Sequence, residues 1–313
     1  MIVLLLLLVA ALLAIAWRGL PAPEVPPQRL LQPAKGSQEA QQQQLAGAPA
    51  VVRRASRPAV VLAHGMAGFD SIGIGDLRVA YFRRAARHLE RSGYEVVTTR
   101  VPPVGALPAR GEALAAAICA LPHERVTIIG HSMGGLDARW AISHGAADRV
   151  AELVTIGTPH RGTPLADVLS RGKAARARSF AARLGLATDA IDWLTTWKLA
   201  ELADEMQDAN DVRYASIVGV ATRARIHPLL LAPHLYLSRV AGPNDGMVPE
   251  PSQRWGDVLA VERMDHFAQI GWAGGDAAGL IERSLTRLRA LPMSIVQLPD
   301  PVAAEIAEPP SVP

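Results

Sequence analysis

The stretch at 126–140, VTIIGHSMGGLDARW, carries the reading of the fold. Val126, Ile128 and Ile129, with β-branched Thr127 between them, predict a short buried strand. Gly130-His131-Ser132-Met133-Gly134 makes a sharp turn, and Gly135 to Ile142 resumes at helical spacing. Strand, G-x-S-x-G and helix, in that order, is the setting in which a serine hydroxyl is lifted onto a strained bend. Glycines frame such a bend because side chains there would collide with the neighbouring strand and helix. The pentapeptide alone is a frequent chance match. Ser132 is therefore a candidate nucleophile only if the other catalytic parts are present.

Outward from this stretch, apolar runs and amphipathic segments alternate. AVVLAHG (59–65), YEVVTTRV (94–101), RVTIIG (125–130), VAELVTIGTPH (150–160), YASIVGVAT (214–222) and LYLSRVAGP (235–243) read as strands. VAYFRRAARHLERSG (79–93) and ARGEALAAAICAL (109–121) read as helices. Near-continuous apolar strands between helices predict an α/β fold, a mainly parallel sheet covered on both faces, over residues 58–290. The interval from about 163 to 213 breaks the rhythm with a basic stretch, SRGKAARARSFAARLG (170–185), and then TDAIDWLTTWKLAELADEMQD (188–208). In the second, Ile191, Leu194 and Trp197 fall near one helical face, with Trp193 and Trp197 four apart. This predicts a helical cap, either packed on the body or acting as a mobile lid.

Residues 1–17, MIVLLLLLVAALLAIAW, are apolar and uncharged, short for a spanning helix and long for a signal-peptide core. The expectation is a membrane anchor or export signal, with its sidedness open. Residues 18–57 are rich in Pro and Gln and predict a linker. Residues 291–313 predict a loosely ordered tail. Half of the 313 residues are hydrophobic, enough for a large core. The pI is near 9.3, but the net charge is only +3 and the arginines lie scattered among acids, which argues against a nucleic-acid partner. The one cysteine, Cys119, excludes an internal disulfide and reads as a small buried hydrophobe.

A serine hydroxyl needs a histidine to take its proton, an acid to hold that histidine, and donors for the developing oxyanion. On parallel-sheet scaffolds with this bend, the chain order is serine, acid, histidine. His266, in VLAVERMDHFAQIGW, follows an apolar run and is the candidate base. His160 lies upstream of the acid candidates, and His64 is read as shaping its own loop. Asp245, in AGPNDGMVP, is the candidate acid, placed after an apolar strand at 235–241. Its rival, Asp265, adjoins His266, and neighbouring residues seldom aim side chains at each other, so it reads as a loop-stabilising or solvated acid. The backbone N–H groups of Met66 and Met133 are the candidate oxyanion donors.

With these residues assembled, the sequence resembles the bacterial triacylglycerol lipases typified by the Pseudomonas and Burkholderia enzymes. The resemblance rests on LAHGMAGFD (62–70), RGEALAAAI (110–118), IIGHSMGG (128–135), IGTPHRGT (156–163), NDGMVP (244–249) and MDHFAQI (264–270). It implies an α/β-hydrolase fold, a Ser132–Asp245–His266 triad, an oxyanion hole at Met66 and Met133, and activity on lipid or acyl esters. Lipases of that family hold a structural calcium partly through an aspartate two residues after the histidine. Here that position is Ala268, and Arg223 and Arg225 stand where another acidic ligand would be, so no calcium site is expected. No other cofactor is implied. Two alternatives remain open: an acyltransferase using the same triad, and a non-catalytic hydrolase scaffold.

Overall fold

The structure, a computed structural model, describes residues 59–66, 72–74, 77–79, 81–99, 101–102, 105–172, 175–176, 179, 189–272 and 274–291. The anchor or signal at 1–17, the linker at 18–57 and all but the first residue of the tail lie outside the described residues. Strands β1 (Ala59–Ala63), β4 (Val96–Thr98), β5 (Val126–His131), β6 (Val150–Ile156), β7 (Arg213–Gly219) and β8 (Asp257–Glu262) form one sheet in the order β4-β1-β5-β6-β7-β8. All five pairings are parallel. Two short strands, β2 (Ile72–Ile74) and β3 (Leu77–Val79), pair antiparallel outside it.

Alternation along the strands distributes the core. Val60, Leu62 and Ile129 pack on one face with Leu89 of helix α1 (Arg83–Arg91) and with Leu280, Ile281, Leu285 and Leu288 of helix α7 (Ala277–Ala290). Their neighbours Val61, Ala63 and Ile128 pack on the other face. There they meet Leu114 and Ile118 of helix α2 (Leu107–Cys119) and Ala138 and Ala141 of helix α3 (Met133–Ala141). Each such Val, Leu or Ile side chain moved out of water contributes roughly 1.5–3 kcal/mol, which is why both faces must be covered. After β1 the chain runs outward to β4 and then crosses back to β5. The sheet reverses its build direction between β1 and β5, and a crevice opens at such a point beyond the strands' carboxyl ends. The loop after β1 and the bend after β5 both face that crevice.

Three expectations need correction. The run read as a strand at 235–241 belongs to helix α6 (Leu231–Val240). Its buried Pro233, His234, Tyr236 and Leu237 keep helical spacing, while a short apolar run does not show its period by itself. Cys119 is exposed, one position past the stripe Leu107, Gly111, Leu114, Ile118 that α2 buries. The cap segment is not one helix: a 3-10 turn (Asp189–Leu194) stops at Thr195, which caps the separate helix α5 (Thr196–Glu201) by accepting from Lys198 N–H. Ile191 and Leu194 are buried, whereas Trp197 sits on the second element and is only half-buried. Asp265, read as loop-stabilising or solvated, is buried and stabilises its loop.

Candidate active site

Ser132 stands between the last residue of β5 and the first of α3 with φ 55° and ψ −129°, the one non-glycine positive φ among the described residues. Strand and helix come so close around it that a Cβ on Gly130 would lie 2.6 Å from Gly135 Cα. The Ser132 N–H donates to Ile156 O at 2.9 Å, pinning the bend to β6. Met133 opens helix α3, so its N–H has no partner four residues back and stands at the positive end of the helix dipole.

Asp245 is fully buried, and all of its carboxylate contacts are donors. Oδ1 accepts the N–H groups of Met247 (2.8 Å) and Val248 (2.7 Å). Oδ2 accepts His266 Nδ1 (2.7 Å) and the side-chain amide of Gln269 (3.0 Å). The His266 N–H also donates to Asp245 O at 2.9 Å, so the two loops are joined by backbone as well as side chain. With Nδ1 engaged, Nε2 is the basic nitrogen of His266. The imidazole of His131, next to Ser132, has its centroid 4.5 Å from that of His266. Asp245 thus arrives from a loop after helix α6 rather than from a strand end. Asn244 anchors that loop by accepting from His234 Nδ1 (2.8 Å) and Gly246 N–H (2.9 Å). Asp265 accepts the N–H groups of His227 (2.7 Å), Phe267 (3.0 Å) and Ala268 (2.8 Å), so it knits the histidine loop together and does not engage the ring.

The loop His64-Gly65-Met66 follows β1, and Arg110 ties it down. This guanidinium is wholly buried and donates to His64 O at 3.1 Å, to Pro102 O, and to Asp137 on α3 at 2.6 Å. Burial pushes the Asp137 carboxyl up to about 6, against the pull of Arg110. The pair fastens the loop bearing the Met66 N–H to the helix bearing the Met133 N–H. Arg110→Met should destabilise the fold by roughly 3–5 kcal/mol, because it strands a buried carboxylate. Arg110→Met/Asp137→Leu should recover most of that stability in urea denaturation without restoring the loop's anchor. No recovery would mean that the loss comes from packing alone.

The alpha/beta hydrolase fold family matches residues 58–228, more than half of the chain. The chain belongs to the α/β-hydrolase fold family. Among relatives of this α/β-hydrolase, triacylglycerol lipase 2 of Saccharomyces cerevisiae is 28% identical over 210 residues, 63% of this chain and 64% of that one. Triacylglycerol lipase of Burkholderia plantarii is 35% identical over 138 residues, 39% of this chain and 36% of that one. The chain thus matches less than two thirds of the length of these curated relatives. The crystal structure of the mature Bacillus licheniformis lipase BlEst2 superposes with a TM-score of 0.60 at 25% identity, covering 77% of this chain and 96% of that one.

The segment expected to form a cap packs on helix α3, which follows Ser132. Leu165 and Leu169 of helix α4 (Pro164–Leu169), Ile191, Leu194, Leu199 of α5 and Leu237 of α6 form one apolar cluster with Met133 and Leu136. Met66, Trp193 and Met247 pack against it. The residues offering the two candidate oxyanion amides therefore share an apolar wall with the cap. Cations lie over both cap tryptophans: Arg171 at 4.3 Å from the Trp197 ring centre and Lys198 at 5.3 Å from that of Trp193.

Two further histidines are buried near the carboxyl ends of the strands. His160 pairs with Thr155 Oγ1 at 3.0 Å and stacks on Trp255, apart from the Asp245–His266 pair. Burial, and then the charges of Arg139 and Arg161, hold its pKa well below the ordinary 6.5; burial and then the charge of His266 do the same for His131. A lowered pKa means that the unfolded chain takes up these protons first, so stability is present above pH 6.5 and is lost as pH falls below it. Asp137 has the opposite sign: below about 6 its proton binds preferentially to the folded chain and offsets part of the loss. Each uncompensated histidine contributes a slope of about 1.4 kcal/mol per pH unit. Urea melts between pH 5.5 and 7.5 should show the acid loss, and His160→Gln should remove one proton from the slope. An unchanged slope would mean that His160 is not neutral in the fold.

Proposed function

We propose that this protein is a serine carboxylic-ester hydrolase that acts on lipid or acyl esters through an acyl-enzyme. The observation that carries this reading is the buried Asp245–His266 hydrogen bond beside the strained Ser132. In this reading Ser132 Oγ attacks the ester carbonyl carbon while His266 Nε2 takes its proton, and Asp245 holds the imidazolium through Nδ1. The carbonyl oxygen gains the negative charge and is met by the N–H groups of Met66 and Met133. The carbonyl re-forms as the alcohol leaves with the proton from His266. Water then repeats the sequence on the acyl-enzyme and releases the carboxylic acid. The apolar cluster of cap residues around Met66, Met133 and Leu165 favours an acyl chain over a polar substituent.

The reaction is proposed to proceed without calcium, since Asp265 already ties the histidine loop through three backbone N–H groups and position 268 carries no carboxylate. Among the described residues no helix is long and apolar enough to cross a membrane. We assign membrane association to residues 1–17, with 18–57 as a spacer. Deletion of residues 1–17 should then release the protein from sedimented membranes.

The test is hydrolysis of esters of increasing acyl length by the wild type and by Ser132→Ala, with and without EDTA. Rates that rise with chain length, vanish in Ser132→Ala and survive EDTA would support a calcium-independent lipase. Preference for short soluble esters would make the enzyme an esterase. Acyl transfer to an added alcohol in place of hydrolysis would make it an acyltransferase. The absence of any Ser132-dependent reaction would leave a scaffold.

A further inference from the structure

The triad carboxylate has a second side-chain partner. Gln269 lies three residues after His266, and its amide donates to the same Asp245 Oδ2 that takes His266 Nδ1. It is wedged between Gly157, after β6, and Gly219, at the end of β7. A Cβ on Gly157 would collide with Gln269 Oε1, and a Cβ on Gly219 would collide with Gln269 Nε2. Both glycines therefore leave the space that this amide fills. The orientation of the amide is set by its acidic partner, because only the NH2 end can donate to Asp245. That leaves Oε1 buried without a hydrogen-bond partner.

A matching orphan stands beside it. His131 is paired in register with Ile156 on β6, and the next residue is the Gly157 over which Gln269 Oε1 sits. His131 Nε2 is likewise buried without a hydrogen-bond partner. The other ring nitrogen, Nδ1, lies 2.7 Å from the hydroxyl of Tyr81. A neutral imidazole has one donor and one acceptor. If Tyr81 donates to Nδ1, Nε2 carries the proton and seeks an acceptor. If Nδ1 carried it, Nε2 and Gln269 Oε1 would be two acceptors left buried side by side. Burial raises the Tyr81 pKa well above its ordinary 10, against a smaller pull from the Gly65 amide, so the hydroxyl keeps its proton and can give it to His131. Burial and then the charge of His266 lower the His131 pKa overall, and the His266 backbone and then the Gln269 side chain oppose this, as acceptors near a ring N–H do.

We infer that His131 Nε2–H donates to Gln269 Oε1, so that Tyr81, His131 and Gln269 form a hydrogen-bonded strut ending on the Asp245 carboxylate. The strut starts at the loop bearing the Met66 amide and ends at the triad acid. It holds Asp245 in place whether or not His266 is charged. Gln269, His131 and Tyr81 are then positioning residues, a role that rests on the reading of Ser132, Asp245 and His266 as a triad.

Two measurements test it. In imidazole-labelled protein, nitrogen NMR should show His131 as the Nε2–H tautomer. Gln269→Met should shift the Nε2–H signal, and Tyr81→Phe should shift Nδ1. A His131 found as the Nδ1–H tautomer would overturn the strut, even in a protein with no turnover. In kinetics, Gln269→Met should lower kcat by about tenfold or more with KM nearly unchanged, the loss expected when a hydrogen bond to a charged group is removed. Tyr81→Phe keeps the ring and its packing and should lose less. No hydrogen bond joins Tyr81 to Gln269 directly, so the double variant should be no slower than Gln269→Met alone. Losses that multiply would break the chain at His131 while leaving the triad standing. Loss of turnover in the wild type with the Nε2–H tautomer intact would instead remove the triad and keep the hydrogen bonds.

Discussion

Ser132→Ala is expected to lower kcat by a factor on the order of 10^6, and His266→Ala by a similar factor. Neither residue can be replaced in part: without the hydroxyl there is no acyl-enzyme, and without the imidazole the hydroxyl stays protonated. The two losses should therefore not multiply, and Ser132→Ala/His266→Ala should be about as slow as either variant alone. A residual rate above that in water should remain from substrate binding and the Met66 and Met133 amides. The assay is steady-state ester hydrolysis alongside labelling by a serine-reactive phosphonate. Wild-type protein that turns over ester but takes up label at a residue other than Ser132 would displace the whole assignment.

Asp245→Asn is expected to lower kcat by about 10^4, and the reason lies in which end of the new amide points where. One oxygen of Asp245 accepts two backbone N–H groups, from Met247 and Val248, so that end must remain an oxygen in the variant. The NH2 then faces His266 Nδ1 and reverses the tautomer. The ring proton moves to Nε2, where the base needs a lone pair. The new NH2 also meets the Gln269 amide, setting two donors against each other. Asp265→Asn keeps an acceptor for Phe267 and Ala268, which share Oδ1, but loses the one for His227 on Oδ2, and should slow the enzyme less than about tenfold while loosening the loop. If Asp265→Asn proved the slower of the two, the acid would have to be reassigned.

The candidate site is largely legible in the sequence because its parts are local. A glycine-framed bend must follow a strand, and Ser132 with its neighbours says so within a single short stretch. Asp245 is legible through Asn-Asp-Gly, although the run before it reads as a strand. Leu235 to Ala241 is too short for its apolar residues to reveal whether they repeat every two or every 3.6 positions, and its packing against the cap decides. Arg110 is visible only as one letter of a motif, since its partners lie in three separate segments. Gln269 is invisible, because its role exists only where the ends of β6, β7 and β8 meet. The break at Thr195 has a sequence signal, a threonine placed to cap Lys198. The exposure of Cys119 follows from one step of helical phase, which alanine-rich sequence leaves undetermined.

The backbone at Ser132 also bears on whether the chain is in use. A φ of 55° suits glycine, and a β-carbon there is a standing strain of about 1–3 kcal/mol. Glycine at this position would relieve that strain, but at a cost of roughly 0.5–1 kcal/mol in the entropy of the unfolded chain. A side chain at a dihedral that strains the fold is what a nucleophile at this bend requires, which fits the proposed role of Ser132.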